Sequence, residues 1–153
     1  MEIQIDQSIK IEQTARTTYI GLSNSMTFIV AITGKTKRRL QDDFRRRGLS
    51  SIFPTATFAA CVALLIFYTR FDSNPAIIID EEYQGYEQFL RKQILHMLTD
   101  LGGPRPVITF SRIGKGARAH IIGYQAYKKR RSPDRLLSYV ELHELTTKNR
   151  PGT

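Results

Sequence analysis

Leu49 to Thr69 contains no charged residue, and within it Phe58 to Tyr68 is almost wholly apolar. A chain with such a segment must either pass it through a bilayer or enclose it. A bilayer span needs about 20 predominantly apolar residues. The first half of this stretch holds Ser50, Ser51, Pro54, Thr55 and Thr57, which leaves an apolar core of about three helical turns. A helix running roughly from Thr55 to Phe71, buried in a layered α/β domain, fits that length better than a membrane span. With 153 residues, 41% of them hydrophobic, the chain is long enough to build such a core as one domain.

The rest of the pattern supplies the layers. Ile3, Ile5, Ile9 and Ile11 occupy odd positions, while Gln4, Asp6, Ser8, Lys10 and Glu12 occupy even ones. That period of two predicts a strand, or a pair of short strands, with Asp6 on the polar face. Thr17 to Leu22 and Met26 to Ile32, separated by Ser23-Asn24-Ser25, predict a hairpin. Lys35 to Arg47 predicts a charged helix whose narrow apolar stripe is Leu40 and Phe44, with Gly48 as its stop. After the buried helix, Asp72-Ser73-Asn74-Pro75 predicts a turn into the strand Ala76 to Asp80, whose unbroken apolar run implies cover on both faces. Glu81 to Leu101 predicts a long amphipathic helix, Pro106 to Phe110 a strand, and Ala117 to Arg131 a further helix. Ser132-Pro133-Asp134 offers a cap and a first-turn proline for a last short helix. The single domain is expected over residues 1–146, with 147–153 as a flexible tail.

Two of these strands each end by delivering one aspartate, Asp6 and Asp80. The element order, three strands, two helices, then strand, helix, strand and helix, resembles the ribonuclease H-like fold with one extra helix before the fourth strand. The resemblance implies a mixed sheet of three antiparallel strands followed by two parallel ones, with helices on both faces. It also implies that the first and fourth strands are adjacent and parallel, so that their acids meet. Asp6 and Asp80 match the two aspartates with which that superfamily holds catalytic metal. Its third position lies on the helix after the fifth strand and is Asp, Glu or His. Here that helix opens Arg118-Ala119-His120, with Tyr124 and Tyr127 following, which is similar to the Piwi segment of Argonaute proteins and to some junction-cleaving nucleases. The resemblance therefore implies Asp6, Asp80 and His120 as catalytic metal ligands. Glu81, beside Asp80, is taken as a further ligand.

Phosphodiester hydrolysis needs an activated water and a stabilised leaving oxygen, and two hard cations supply both. Aspartates suit Mg²⁺ or Mn²⁺, and a histidine leans towards Mn²⁺. The chain departs from the family in lacking a clear fourth acid on the first helix. Asp42 and Asp43 sit there in an unconvincing context, and Glu12, Glu81 and Glu82 stay open as substitutes.

Lys and Arg number 23 against 14 Asp and Glu, a net charge of +9, which favours a polyanionic partner, DNA or RNA. One basic set lies on the charged helix and includes Arg38 and Arg45. The other surrounds His120 and includes Lys115, Arg118, Lys128 and Arg131, interleaved with Tyr124, as suits a nucleic-acid backbone. Gly34-Lys35-Thr36 imitates the end of a phosphate-binding loop, but the glycine required five positions earlier is Ile29. A lone cysteine, Cys61, permits no internal disulfide and suits a reducing, cytoplasmic setting. It reads as a small buried hydrophobe. His96 and His143 are expected at the surface.

The expectation is a metal-dependent nuclease with no membrane partner. The alternative is a non-catalytic nucleic-acid-binding module on the same fold. Oligomeric state is left open, and a homodimer is compatible with the sequence.

Overall fold

The computed structural model describes residues 3–23, 26–113, 118–128 and 131–149, with the backbone alone at 118–120. Six strands and five α-helices follow in the order β1 (Ile3–Gln7), β2 (Thr18–Ser23), β3 (Thr27–Ile32), α1 (Gly34–Arg46), α2 (Phe53–Thr69), β4 (Ala76–Asp80), α3 (Glu87–Leu101), β5 (Val107–Ser111), α4 (Arg118–Tyr127), β6 (Arg135–Leu136) and α5 (Tyr139–Lys148). They form an α/β protein around one mixed sheet of order β5-β4-β1-β2-β3-β6. The pairs β1/β2 and β2/β3 are antiparallel, whereas β1/β4, β4/β5 and β3/β6 are parallel.

The charge-free segment becomes α2, preceded by a short 3₁₀ turn at Ser50–Ile52. Ser50–Thr69 is long and apolar enough by composition to cross a membrane, and most of it is buried inside the fold. Helix α2 is apolar all round because it is covered all round, by the sheet and by α1, α3 and α5. Its core neighbours include Ile3, Ile5, Ile77 and Ile79 from the sheet and Leu90, Ile94, Met97 and Leu142 from the helices. The opposite sheet face carries a smaller cluster, Ile29 with Ile122 and Ala126 of α4, against Tyr19. Helices thus cover both faces, with α4 the one helix on its side among the described residues.

Three sequence expectations change. The sheet gains a sixth strand where a helix start was expected. Asp134 Oδ2 accepts from the Ile29 amide at 2.8 Å, and the Asp134 amide donates to Ile29 O at 2.8 Å. These bonds lay Arg135 and Leu136 alongside Val30 and Ala31. The last helix then starts at a different serine, Ser138, which forms a capping box with Glu141. It runs to Lys148, and Asn149 Nδ2 reaches Asp100 at 2.9 Å, so residues 147–149 belong to the folded domain. Helix α3 begins at Glu87 rather than Glu81, because residues 81–86 form turns closed by Glu82 N to Asp80 O and Tyr86 N to Tyr83 O. Gly85, at φ +87°, supplies the left-handed backbone such a turn requires.

The start of α1 clamps the long loop between β1 and β2. Lys37 is fully buried and donates to Gln13 O and Thr18 Oγ1, both at 2.8 Å. Burial drops its ammonium to about 8. Gly34 is required by close approach, since a Cβ there would lie 2.6 Å from Thr14 O.

Candidate metal centre

Register brings the two strand-end acids to one place. Gln4 pairs with Ile78 and Ile5 with Ile79 across the parallel β1/β4 ladder. Since successive side chains alternate, Ile3, Ile5, Ile77 and Ile79 enter the α2 core, and Gln4, Asp6, Ile78 and Asp80 face the α4 side. Helix α4 packs over β1, β2 and β3. Gly123 of α4 faces Tyr19 and Ser8, at a distance where an added Cβ would make ordinary contact with Tyr19 O, 3.9 Å away. Asp6, expected on the polar face of β1, is only 3% exposed there.

A third carboxylate joins them. Oxygens of Asp6, Asp80 and Glu82 all lie within 4.8 Å of one another. Glu81, the expected neighbour, is exposed and stands outside this group; its amide donates to Ser111 O. Glu82 arrives through the turn that its amide closes on Asp80 O, and it is one of three substitutes, with Glu12 and Glu81, that the sequence leaves open.

Hydrogen bonds fix the two aspartates further. Asp6 Oδ1 accepts from the Gln7 amide at 2.8 Å, and Asp80 Oδ1 from the Ile113 amide at 2.6 Å. Burial pushes the Glu82 carboxyl up to about 7, helped by its hydrogen bond to Asp80 and by the negative charges of Asp80 and Asp6. Lys10 opposes that rise. The two aspartates beside Glu82 thus disfavour its charged form. Of three oxygens on one octahedral Mg²⁺ at most one pair stands opposite, about 4.2 Å apart, and the other pairs stand about 3 Å apart. The group would therefore draw inward to hold such an ion, and its all-oxygen donor set suits Mg²⁺ or Mn²⁺.

Tyr83 braces the turn that carries Glu82. Its ring packs on Phe58 with centroids 5.2 Å apart. Its hydroxyl accepts from the Ile11 amide at 3.4 Å and donates to Glu12 at 3.2 Å. Burial raises the phenol above its ordinary range. Glu12 is thereby engaged beside the group and not within it.

The remaining expected residues divide between two faces. His120 lies in the first turn of α4; its side chain and that of Arg118 lie outside the described residues, as does the whole of Lys115. Tyr124 is 46% exposed on α4, with the Lys128 ammonium 5.6 Å from the centres of both the Tyr124 and Tyr127 rings. Arg131 donates to Thr27 Oγ1 at 2.7 Å. Arg38 and Arg45 sit on α1, in the helical layer across the sheet, where they contact Thr14 O at 2.7 Å and Asp42 at 2.9 Å. The acids of α1 are far from idle. Asp43 is bound by Arg46, Tyr139 and His143, and neither Asp42 nor Asp43 joins the carboxylate group. His96 is exposed, and His143 is part-exposed and stacked on Tyr139. Burial pushes the Cys61 thiol up to about 12, as suits a buried small hydrophobe.

Comparison with known families, with curated proteins and with solved structures finds no match to this chain.

Proposed function

We propose that this protein is a divalent-metal-dependent nuclease that hydrolyses phosphodiester bonds from a ribonuclease H-like scaffold. The observation that carries the reading is the convergence of Asp6, Asp80 and Glu82 oxygens within 4.8 Å at the ends of adjacent strands. The parallel β1/β4 pair and the position of α4 over β1 and β2 support the scaffold.

Asp6, Asp80 and Glu82 would hold Mg²⁺ or Mn²⁺, with His120 at the head of α4 as the fourth ligand. Such cations supply nucleophile activation and charge neutralisation at the phosphate when bound. The chain's own part is to fix the ligands before substrate arrives. The Ile113 amide orients Asp80, the Gln7 amide orients Asp6, and Tyr83 holds the turn bearing Glu82. Tyr124 and Lys128 lie on the same sheet face and would receive the nucleic-acid strand through stacking and phosphate contact.

The second reading is a nucleic-acid-binding module without catalysis, favoured by the engagement of both α1 acids elsewhere. Incubation of labelled single strands, duplexes, RNA–DNA hybrids and branched DNA with Mn²⁺ or Mg²⁺ separates the two. Cleavage by wild type and none by Asp80→Asn is the expected result. Salt-sensitive binding with no cleavage of any substrate would leave the binding module.

A further inference from the structure

We propose that the outer surface of α1 and α5 is a second nucleic-acid-binding face, separate from the carboxylate group and operating without metal. Helix α1 packs on α2 and α5, with Leu40 and Phe44 in the main core, so it lies across the sheet from α4. Its solvent side presents Lys35, Arg38, Arg39, Arg45 and Arg46, with Asp42 as the exposed acid among them.

This is more than a solvated charged stripe, because the side chains are held. The Arg39 guanidinium lies 3.7 Å from the centre of the Tyr139 ring, and that of Arg135 lies 3.7 Å from the centre of Tyr68. Stacking of this kind occupies the flat face of a guanidinium and leaves its N–H edge for a phosphate. Arg46 is tied to Asp43 yet keeps 72% of its side chain exposed. Of the nearby acids, Asp43 is engaged by Arg46, Tyr139 and His143, and Glu141 by Tyr68, Arg135 and the Ser138 amide, while Glu144 stands exposed on α5. What faces outward on α1 is dominated by cation, with Arg39 already held in place.

The dimensions suit a phosphate backbone. From Lys35 to Arg46 the helix advances about 16 Å, which matches about five nucleotide steps at 3.4 Å of rise per strand. Planar forks with free edges favour phosphate over the flexible carboxylates of an acidic peptide. None of these contacts calls on the carboxylate group, so the α1–α5 face binds nucleic acid without metal.

The test is fluorescence anisotropy in EDTA with a labelled duplex of about 20 base pairs, over about 50 to 200 mM salt. Arg39→Gln/Arg46→Gln should weaken binding at least about tenfold and reduce the salt slope by about 2. Arg39→Lys/Arg46→Lys should keep the slope, which separates lost charge from lost folding. Tyr124→Ala/Lys128→Gln, on the α4 face, should change affinity by less than the arginine pair. Should the glutamine pair melt below the assay temperature, Arg135→Gln, remote from Asp43, carries the test with a slope loss of about 1. Polyglutamate of matched charge should displace the duplex only at much higher concentration. An unchanged slope in the arginine variants, a larger loss in the α4 variant, or equal competition by polyglutamate would overturn the proposal. Each outcome is read without cleavage, so failure here is distinct from failure of the nuclease reading.

Discussion

Asp43 and the Asp6–Asp80–Glu82 group lie on opposite sides of one sheet, and their surroundings are opposite as well. Burial works against the Asp43 carboxylate, but hydrogen bonds from Tyr139 and Arg46 and the nearby His143 hold it below the usual carboxylate range. Glu82 is moved the other way, by burial and by two neighbouring acids. Asp43 is held by side-chain donors from two helices, whereas Asp6 and Asp80 take backbone amides and crowd a third carboxylate, Glu82. Acids near a site are therefore told apart by their partners and not by their number. On the proposed reading the first arrangement is a structural strut and the second receives cation. Substitution should therefore act with opposite sign at the two places.

The largest effect is expected in activity. Asp80→Asn should slow metal-dependent cleavage by about a thousandfold or more, equivalent to about 4 kcal/mol in the barrier, as read by single-turnover assays. The same variant keeps an oxygen for the Ile113 amide, so its metal-free melting temperature should stay level or rise. A large drop in melting temperature would make Asp80 a strut like Asp43 and erase the contrast.

Next comes Asp43→Ala, which strands Tyr139 and leaves Arg46 and His143 without their anion. A loss of about 3 kcal/mol is expected in urea unfolding, with cleavage per folded molecule unchanged. Tyr83→Phe removes the acceptor of the Ile11 amide and should cost about 1 to 2 kcal/mol. It should also weaken metal affinity, because the turn bearing Glu82 loses its brace.

The pH dependence is the most diagnostic in sign. The Glu82 carboxyl is raised in the folded state from its ordinary 4.5 to about 7. The folded form then holds a proton that the unfolded form releases between those values. Stability from this group is full below about 4.5 and is lost as pH rises through about 7. Metal-free wild type should lose stability across that window, and Glu82→Gln should flatten this part of the profile. A slope of opposite sign in the wild-type minus Glu82→Gln difference would mean that cationic partners already neutralise the group.

Much of this contrast was legible in the sequence because periodicity is local. The alternation of Ile3 and Ile5 with Gln4 and Asp6 set the faces of β1 directly, and the run Ile77-Ile78-Ile79 before Asp80 marked β4 as a strand covered on both faces. The charge-free stretch identified α2, whose burial follows from its apolar perimeter. Glu82 was one of three substitutes left open, and strand parity could not select it because the chain turns directly after Asp80. What hid it was the amphipathic pattern of 86–101, which invited extending α3 back to Glu81. Tyr83 and Gly85 break that helix through a tertiary contact and a turn. Strand β6 depends on Asp134 meeting Ile29, a pairing 105 residues apart that no local pattern encodes. The partners of Asp43 were equally hidden, because they arrive from α5 at the far end of the chain.

The most direct test of the central claim is calorimetric titration of the metal-free protein with Mn²⁺ at neutral pH, beside its Asp80→Asn and Glu82→Gln variants. Saturable binding by wild type, with a melting temperature that climbs with Mn²⁺ and a loss of both in Asp80→Asn, is the predicted result. No binding by wild type at millimolar Mn²⁺, or equal binding by all three proteins, would contradict it.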